Sequence, residues 1–398
     1  MTAQSVPAMA ASPSQAGRLL LIGLISFLTL VDLFAVQAIL PSLAVVYHAS
    51  PAEMGVAVNA STFGMAAAGL VIAALASRLD RKRGIWMSLA ALTIPTLLLS
   101  TMPDLGVITA LRVVQGILMS SAFTLTMAYL AEEKGSGSVA AALAAYVTGN
   151  VASNLFGRLM SAAVADHFGL SFNFVVFAAL NLTGAIMVYI RLDGMRMGAM
   201  KTTAAMTFAS WRSQFGNPAL TATFAIGFLI LFAFLGTFTY VNFVLAGPIG
   251  LSPMAPGLVY FVFAPSILTT PLVARAVARF GIRATFIAAF AVALAGTVLL
   301  LVAALTPVLA GLCLIAAGTF FAQAAATGHV GRLAAGDRAA ASGIYLASYY
   351  LGGLAGSLAL GMVYAHWGWP EAVLGIAISL SAAGALSLAV QRQTATAA

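Results

Sequence analysis

Charge is what this sequence has least of. Its 398 residues hold 18 Lys and Arg and 10 Asp and Glu, 7% in all, where a soluble domain carries roughly 25%. Too few charges remain to coat a water-soluble surface of this size, so most of the outside must face lipid. Cys313 is the single cysteine, which excludes an internal disulfide and a thiol metal site. The lysines are Lys82, Lys134 and Lys201, and none follows a glycine. The Gly-Lys-Ser/Thr phosphate loop is therefore missing, and direct use of ATP is not expected. His48, His167, His329 and His366 form no i, i+4 pair, so no metal site is indicated. No nucleophile–base constellation is visible either. The chain reads as a non-enzyme that needs no cofactor.

Apolar sequence fills the space that charge leaves, with hydrophobic residues at 62%. A membrane helix needs about 20 mostly apolar residues, and about a dozen such stretches can be marked. Backbone polar groups must be paired inside hydrocarbon, so a span is a helix or part of a closed barrel. Barrel strands would alternate over roughly ten residues. Runs such as Leu294 to Leu305 are continuously apolar instead. The spans are predicted at about 19–47, 53–77, 84–102, 105–131, 138–165 and 171–191, then 217–245, 254–275, 282–305, 308–331, 339–365 and 370–390. The Ala/Ser/Pro-rich start, 1–17, is expected to be disordered. It lacks the charged start and cleavage site of a signal peptide, and the first span is too long for one.

The basic residues set the topology. With the N-terminus inside, the inner segments hold Arg18, Arg78, Arg81, Lys82, Arg83, Lys134, Arg191, Arg196, Lys201, Arg212, Arg275, Arg279, Arg283, Arg332, Arg338 and Arg392, which is 16 of 18. The outer loops hold none, and Arg112 and Arg158 fall within spans. This asymmetry places both termini in the cytoplasm. The net charge of +8 thus marks membrane topology and not a nucleic-acid surface.

The chain also repeats. Tyr146 to Leu159 reads YVTGNVASNLFGRL, and Tyr345 to Leu358, 199 residues on, reads YLASYYLGGLAGSL. Both Tyr and the pair Gly157 and Gly356 coincide, and the basic loops 78–83 and 275–283 occupy matching places. An all-α membrane protein is expected, with twelve helices in two pseudo-symmetric six-helix bundles, 18–191 and 217–391. A cytoplasmic loop, 192–216, joins them, and a short tail, 392–398, follows. Substrate is expected where the bundles meet, near the midplane.

Three places then resemble the major facilitator superfamily. The loop Ala76-Ser-Arg-Leu-Asp-Arg-Lys-Arg-Gly84 is similar to its G-x-L-x-D-R-x-G-R-R signature, with Ala76 for the first Gly and the second displaced. Its echo, Ala274 to Arg283, keeps Arg279, Gly281 and Arg283 but has Ala278 in place of the acid. The fourth span carries Arg112-Val-Val-Gln-Gly116, similar to the R-x-x-Q-G signature of proton-coupled members. The eleventh span's Tyr349-Tyr350-Leu351-Gly352, Gly368-Trp369, the fifth span's Gly149-Asn150 and Gly157-Arg158, and Gln37 with Pro41 resemble a branch of bacterial inner-membrane efflux proteins. The resemblance covers nearly the whole chain. It implies a drug- or metabolite–proton antiporter of the twelve-helix type in the inner membrane, in which spans one and four line a central cavity, and a monomer is expected.

Ionisable groups at membrane depth are costly and usually functional. Of ten acids only Asp32 sits deep in a span, roughly 20 Å above the inner end. Arg112 enters from outside to a similar depth, roughly 10 Å below the outer surface. Burial penalises the charged carboxylate and a nearby guanidinium favours it, so rocking of the bundles would load and release one proton. Asp32 is read as proton carrier and Arg112 as its electrostatic partner. Arg158 is read as structural, near the outer end of its span and close to Asp166. Gln37, Asn59, Gln115, Asn150 and Asn154 are polar groups at membrane depth that face a cavity or bond between helices. The second bundle supplies Phe228, Phe232, Phe238, Tyr240, Tyr345, Tyr349 and Tyr350. Among these Tyr240, Tyr349 and Tyr350 are cavity candidates, because a buried hydroxyl wants a partner. Asp80, Arg81 and Arg83 are expected to gate by pairing across to the other half. The small residues of spans five and eleven are expected at the interface between the halves. Pro41, Pro95, Pro265 and Pro271 are expected to kink their spans. An importer or facilitator of a polar metabolite is the second transport reading. A channel fits poorly with the repeat and the scarcity of charge, and a sensor fits poorly with the lack of an output domain.

Overall fold

The computed structural model describes residues 13–75, 79–131, 136–192, 213–251, 259–334 and 338–390. Residues 1–12, Ala76 to Arg78, Lys134, nearly all of the central loop with Arg196, Lys201 and Arg212, Asp337 and the C-terminal tail lie outside the described residues.

Every described element is helical. The first half comprises α1 (Pro13–Ala38), α2 (Leu40–Val46), α3 (Pro51–Leu75), α4 (Arg81–Leu99), α5 (Leu105–Ala131), α6 (Ser136–Phe168) and α7 (Leu170–Arg191). The second opens with α8 (Pro218–Ala246). A broken eighth span follows: a 3-10 turn at Tyr260–Phe263, α9 (Ala264–Thr269), a second turn at Thr270–Leu272, and the start of α10 (Val273–Leu300). Then come α11 (Leu305–Leu333), α12 (Arg338–Trp367) and α13 (Trp369–Ala389).

Nine stretches among the described residues are long and apolar enough to cross a membrane. One of them, Tyr260–Leu300, has 41 residues. That is two crossings, and the chain turns between them at Gly281, whose φ of 79° only glycine adopts at low cost. Counting that stretch twice, and adding α4 and α6, gives the expected twelve spans.

Proline falls where spans break. Pro41 opens α2 just after the kink at Ile39, Pro265 opens α9, and Pro271 lies in the second turn, whereas Pro95 is carried inside α4. One difference from the predicted boundaries lies between α10 and α11, where the helix stops at Leu300 and restarts at Leu305. Hydropathy alone sees one apolar run there.

The repeat is visible in the backbone. Gly169 (φ 88°) starts α7 and Gly368 (φ 104°) starts α13, again 199 residues apart. Each makes the tight reversal between two long helices. Within each half the fifth helix packs on the first: Gly157 meets Val31, and Gly356 meets the backbone at Phe232. Apolar side chains such as Ile94, Phe156, Val298, Leu374 and Ile378 point outward, as a lipid-facing surface requires.

Spans five and eleven were both expected between the halves, and they differ. α12 packs tightly on α3 of the first half as well as on α8. α6 meets the broken eighth span only sparsely.

Candidate functional site

One buried polar cluster belongs wholly to the first half. Asp32 on α1 is buried, with 2% exposure. Its carboxylate accepts from Asn181 Nδ2 at 2.6 Å and Thr96 Oγ1 at 3.0 Å. Arg112 on α5 is fully buried. It donates to the Asp32 main-chain carbonyl (3.1 Å), the Val58 carbonyl (2.8 Å), Ser61 Oγ (3.1 Å) and Gln115 Oε1 (2.8 Å). Gln115 Nε2 donates in turn to Thr96 Oγ1 at 2.6 Å, which closes the circuit.

The R-x-x-Q-G spacing explains the geometry. Residues three apart share a helix face, so Gln115 lies beside Arg112. The next residue, Gly116, touches α3 at the Ser61 carbonyl, where any Cβ would collide. That close approach brings the α3 backbone within reach of the guanidinium.

Asp32 and Arg112 are therefore brought together, as their depths predict. The contact is made through the Asp32 backbone, and the carboxylate is held by two neutral donors. Thr96, Asn181 and Ser61 were missed by the sequence reading. Asn181 carries a signal in retrospect, being an amide at mid-depth in an apolar span.

A second polar chain joins the halves, in the half of the molecule predicted to face outside. Asn59 donates to Thr239 Oγ1 and Ser357 Oγ, both at 3.0 Å. Ser357 donates to the Gly55 carbonyl at 3.0 Å, and Asn242 Nδ2 to the Gln37 carbonyl at 3.1 Å. Gln37 Nε2 donates to Asn59 Oδ1 at 2.9 Å. Tyr240 donates to the Ser357 carbonyl, with its ring tip packed against Gly55 and Gly361. Gln37, Asn59 and Tyr240 thus serve a seam.

Arg158 departs most from its sequence reading. It is fully buried. It donates to Gln37 Oε1 and to Asn154 Oδ1 (3.3 Å). Its guanidinium carbon lies 5.2 Å from the ring centre of Phe34, 5.5 Å from Phe238, 4.5 Å from Tyr260 and 4.9 Å from Phe263. Asp166, its expected neighbour, lies 3.9 Å from His167 instead. Eight residues of helix, about 12 Å, separate Arg158 from Asp166.

The remaining candidates scatter. Asn150 is half-buried, and its main-chain carbonyl accepts from Ser153 and Asn154. Tyr349 and Tyr350 are buried in an aromatic stack with Tyr345. Asp80 caps α4, accepting from the Arg83 amide at 2.8 Å, and Arg81 donates to the Leu79 carbonyl. An open cleft lies between α6, the eighth span and α11, lined by Val147, Val151, Ile267, Pro271, Val277 and Arg332 among others. None of the eight cavity candidates lines it. Among the described residues no group of His, Cys, Asp and Glu is arranged to hold a metal ion.

The comparisons agree with this architecture. The family model described as Major Facilitator Superfamily matches residues 22–265. The inner membrane transport protein YnfM of Escherichia coli K12 is 31% identical over 340 residues, 85% of this chain and 81% of its own. The MFS-type transporter YybF of Bacillus subtilis is 25% identical, with 86% of this chain and 85% of its own aligned. Among solved structures, a bacterial homologue of the lysosomal transporter Spinster, inward-facing and occupied, superposes with a TM-score of 0.79 at 14% identity, covering 96% of this chain and 98% of that one. The nucleoside transporter NupG gives 0.72 at 15% identity, covering 95% and 100%. By sequence and by fold, this chain belongs to the major facilitator superfamily and is a multi-pass membrane transporter.

Proposed function

We propose that the chain exports a small organic compound, a drug or metabolite, in exchange for protons by alternating access, with Asp32 as the proton carrier and Arg112 as its electrostatic partner. The observation that carries the reading is the setting of Asp32. It is buried among side-chain donors that tolerate both of its protonation states. A protonated carboxyl becomes a donor itself. Thr96 can answer by turning its one hydroxyl proton onto the Leu92 carbonyl, 2.8 Å away. A carboxylate fixed by backbone N–H groups would have no such alternative.

Alternating access follows from the seams. The polar chain through Gln37, Asn59, Thr239 and Ser357 closes the half predicted to be outer, while the cleft opens toward the half predicted to be inner. When the halves rock, Gln37, Asn59, Asn150, Asn154, Tyr240, Tyr349 and Tyr350 become cavity walls, and Gln115 stays with the proton centre. In that cycle Asp80, Arg81 and Arg83 act at the inner gate. In this reading the transporter works in a bacterial inner membrane as a monomer with both termini cytoplasmic.

The test is a substrate panel in everted vesicles with an imposed pH gradient. Substrate-dependent proton release is expected. Accumulation that survives collapse of the gradient would favour a facilitator.

A further inference from the structure

Among the described residues Arg158 is a buried cation without a counter-ion. Its hydrogen-bond partners, Gln37 and Asn154, are neutral amides, and its Nε has no partner. Among the described residues the one deep acid, Asp32, is held elsewhere by Asn181 and Thr96. The membrane-embedded part of the first half thus contains two guanidinium groups and a single carboxylate. A charge buried at membrane depth is costly and is retained for function.

Its position narrows that function. Gln37, Asn154 and Phe34 belong to the first half, and Phe238, Tyr260 and Phe263 to the second. Three of the four rings would leave the guanidinium when the halves part. The open cleft is lined by other residues of the same two elements, α6 and the eighth span. Val151 lies seven residues from Arg158 along α6, about 10 Å, and Ile267 lies four residues from Phe263, about 6 Å.

We infer that Arg158 is the anchor for a carboxylate on the transported compound, which is therefore an organic anion with a small apolar or aromatic body. This rests on the transport reading above and narrows its substrate class. The guanidinium fork matches a carboxylate through two parallel N–H donors, and the free Nε supplies one of them. Gln37 and Asn154 hold the group in place while no anion is bound. The Phe and Tyr rings, which now stack on the guanidinium, then flank the body of the ligand.

The experiment is equilibrium binding to the purified full-length protein in detergent, with no gradient. The probes are benzoate and phenylacetate, their neutral amides benzamide and phenylacetamide, and the cation benzylamine. The carboxylates should bind at least roughly tenfold more tightly than the matched amides, because a charge-assisted pair is replaced by a neutral one. Arg158→Gln should erase that preference, and Arg158→Lys should keep part of it, having charge without the fork. Should Arg158→Gln fail to fold, judged by its melting without ligand, Arg158→Lys carries the test through its partial loss. Equal binding of acid and amide, preference for benzylamine, no carboxylate binding, or an undiminished preference in the variants overturns the inference. This binding needs no gradient and proton release is measured in vesicles, so a failure of the proton reading and a failure of this one register separately.

Discussion

Two arginines lie fully buried in the first half, and their surroundings are opposite. Arg112 makes four hydrogen bonds within its own half, one of them to the residue that carries the deep acid. Arg158 has two amide partners, an orphan Nε and four aromatic rings drawn from both halves. The first is a closed circuit that nothing outside needs to complete. The second is an open one at the boundary where the halves separate. A cation that is fully satisfied within one rigid bundle suits a part that stays assembled through a transport cycle. A cation whose surroundings come from both bundles suits a part that is made and unmade in it.

That contrast can be broken in graded steps. The largest effect is expected from Arg112→Ala, which strands the Gln115 and Ser61 side chains and the Val58 carbonyl. Breaking a buried charged network of this kind costs about 3–5 kcal/mol, so a steep fall in melting temperature and loss of transport should appear together. Arg158→Gln should leave folding far less affected while removing carboxylate preference, read by the binding panel. Asn181→Ala removes one hydrogen bond to a charged group, about 1.5–3 kcal/mol. It should lower proton-driven transport without abolishing it, and substrate affinity measured without a gradient should be unchanged. The smallest loss of stability is expected from Asp80→Ala. Loss of a helix N-cap costs about 1 kcal/mol, visible as a slight drop in melting temperature. Transport by the stable Asp80→Ala protein should fall by more than that small loss accounts for, and unchanged transport would remove the residue from the inner gate.

Much of the architecture was legible because hydrocarbon imposes it. Span number and the repeat follow from hydropathy, charge placement and spacing, and the recurrence of Gly169 and Gly368 at the same interval extends the repeat into the turns. The site was legible in depth but not in direction. Counting residues along α1 and α5 puts Asp32 and Arg112 at one height, yet it says nothing of which way each side chain points around its helix. The carboxylate turns to α4 and α7 instead, so Thr96 and Asn181 were missed. The surroundings of Arg158 were missed for a related reason. Its nearness in sequence to Asp166 suggested a partner, but eight residues of helix are too long a reach, and the rings that surround it come mostly from the other half of the chain. The seam at Asn59, Thr239 and Ser357 links residues up to 298 positions apart, and only the folded arrangement reveals it.

Everything in the coupling scheme turns on the Asp32 carboxyl, and one comparison tests it most directly. Asp32→Asn and the unaltered protein are reconstituted side by side, and two activities are measured: uphill accumulation driven by a pH gradient, and substrate exchange at equal pH. The account predicts that the variant exchanges substrate but no longer accumulates it. Gradient-driven accumulation by Asp32→Asn at the unaltered level would contradict the account, and the proton would have to travel by another route.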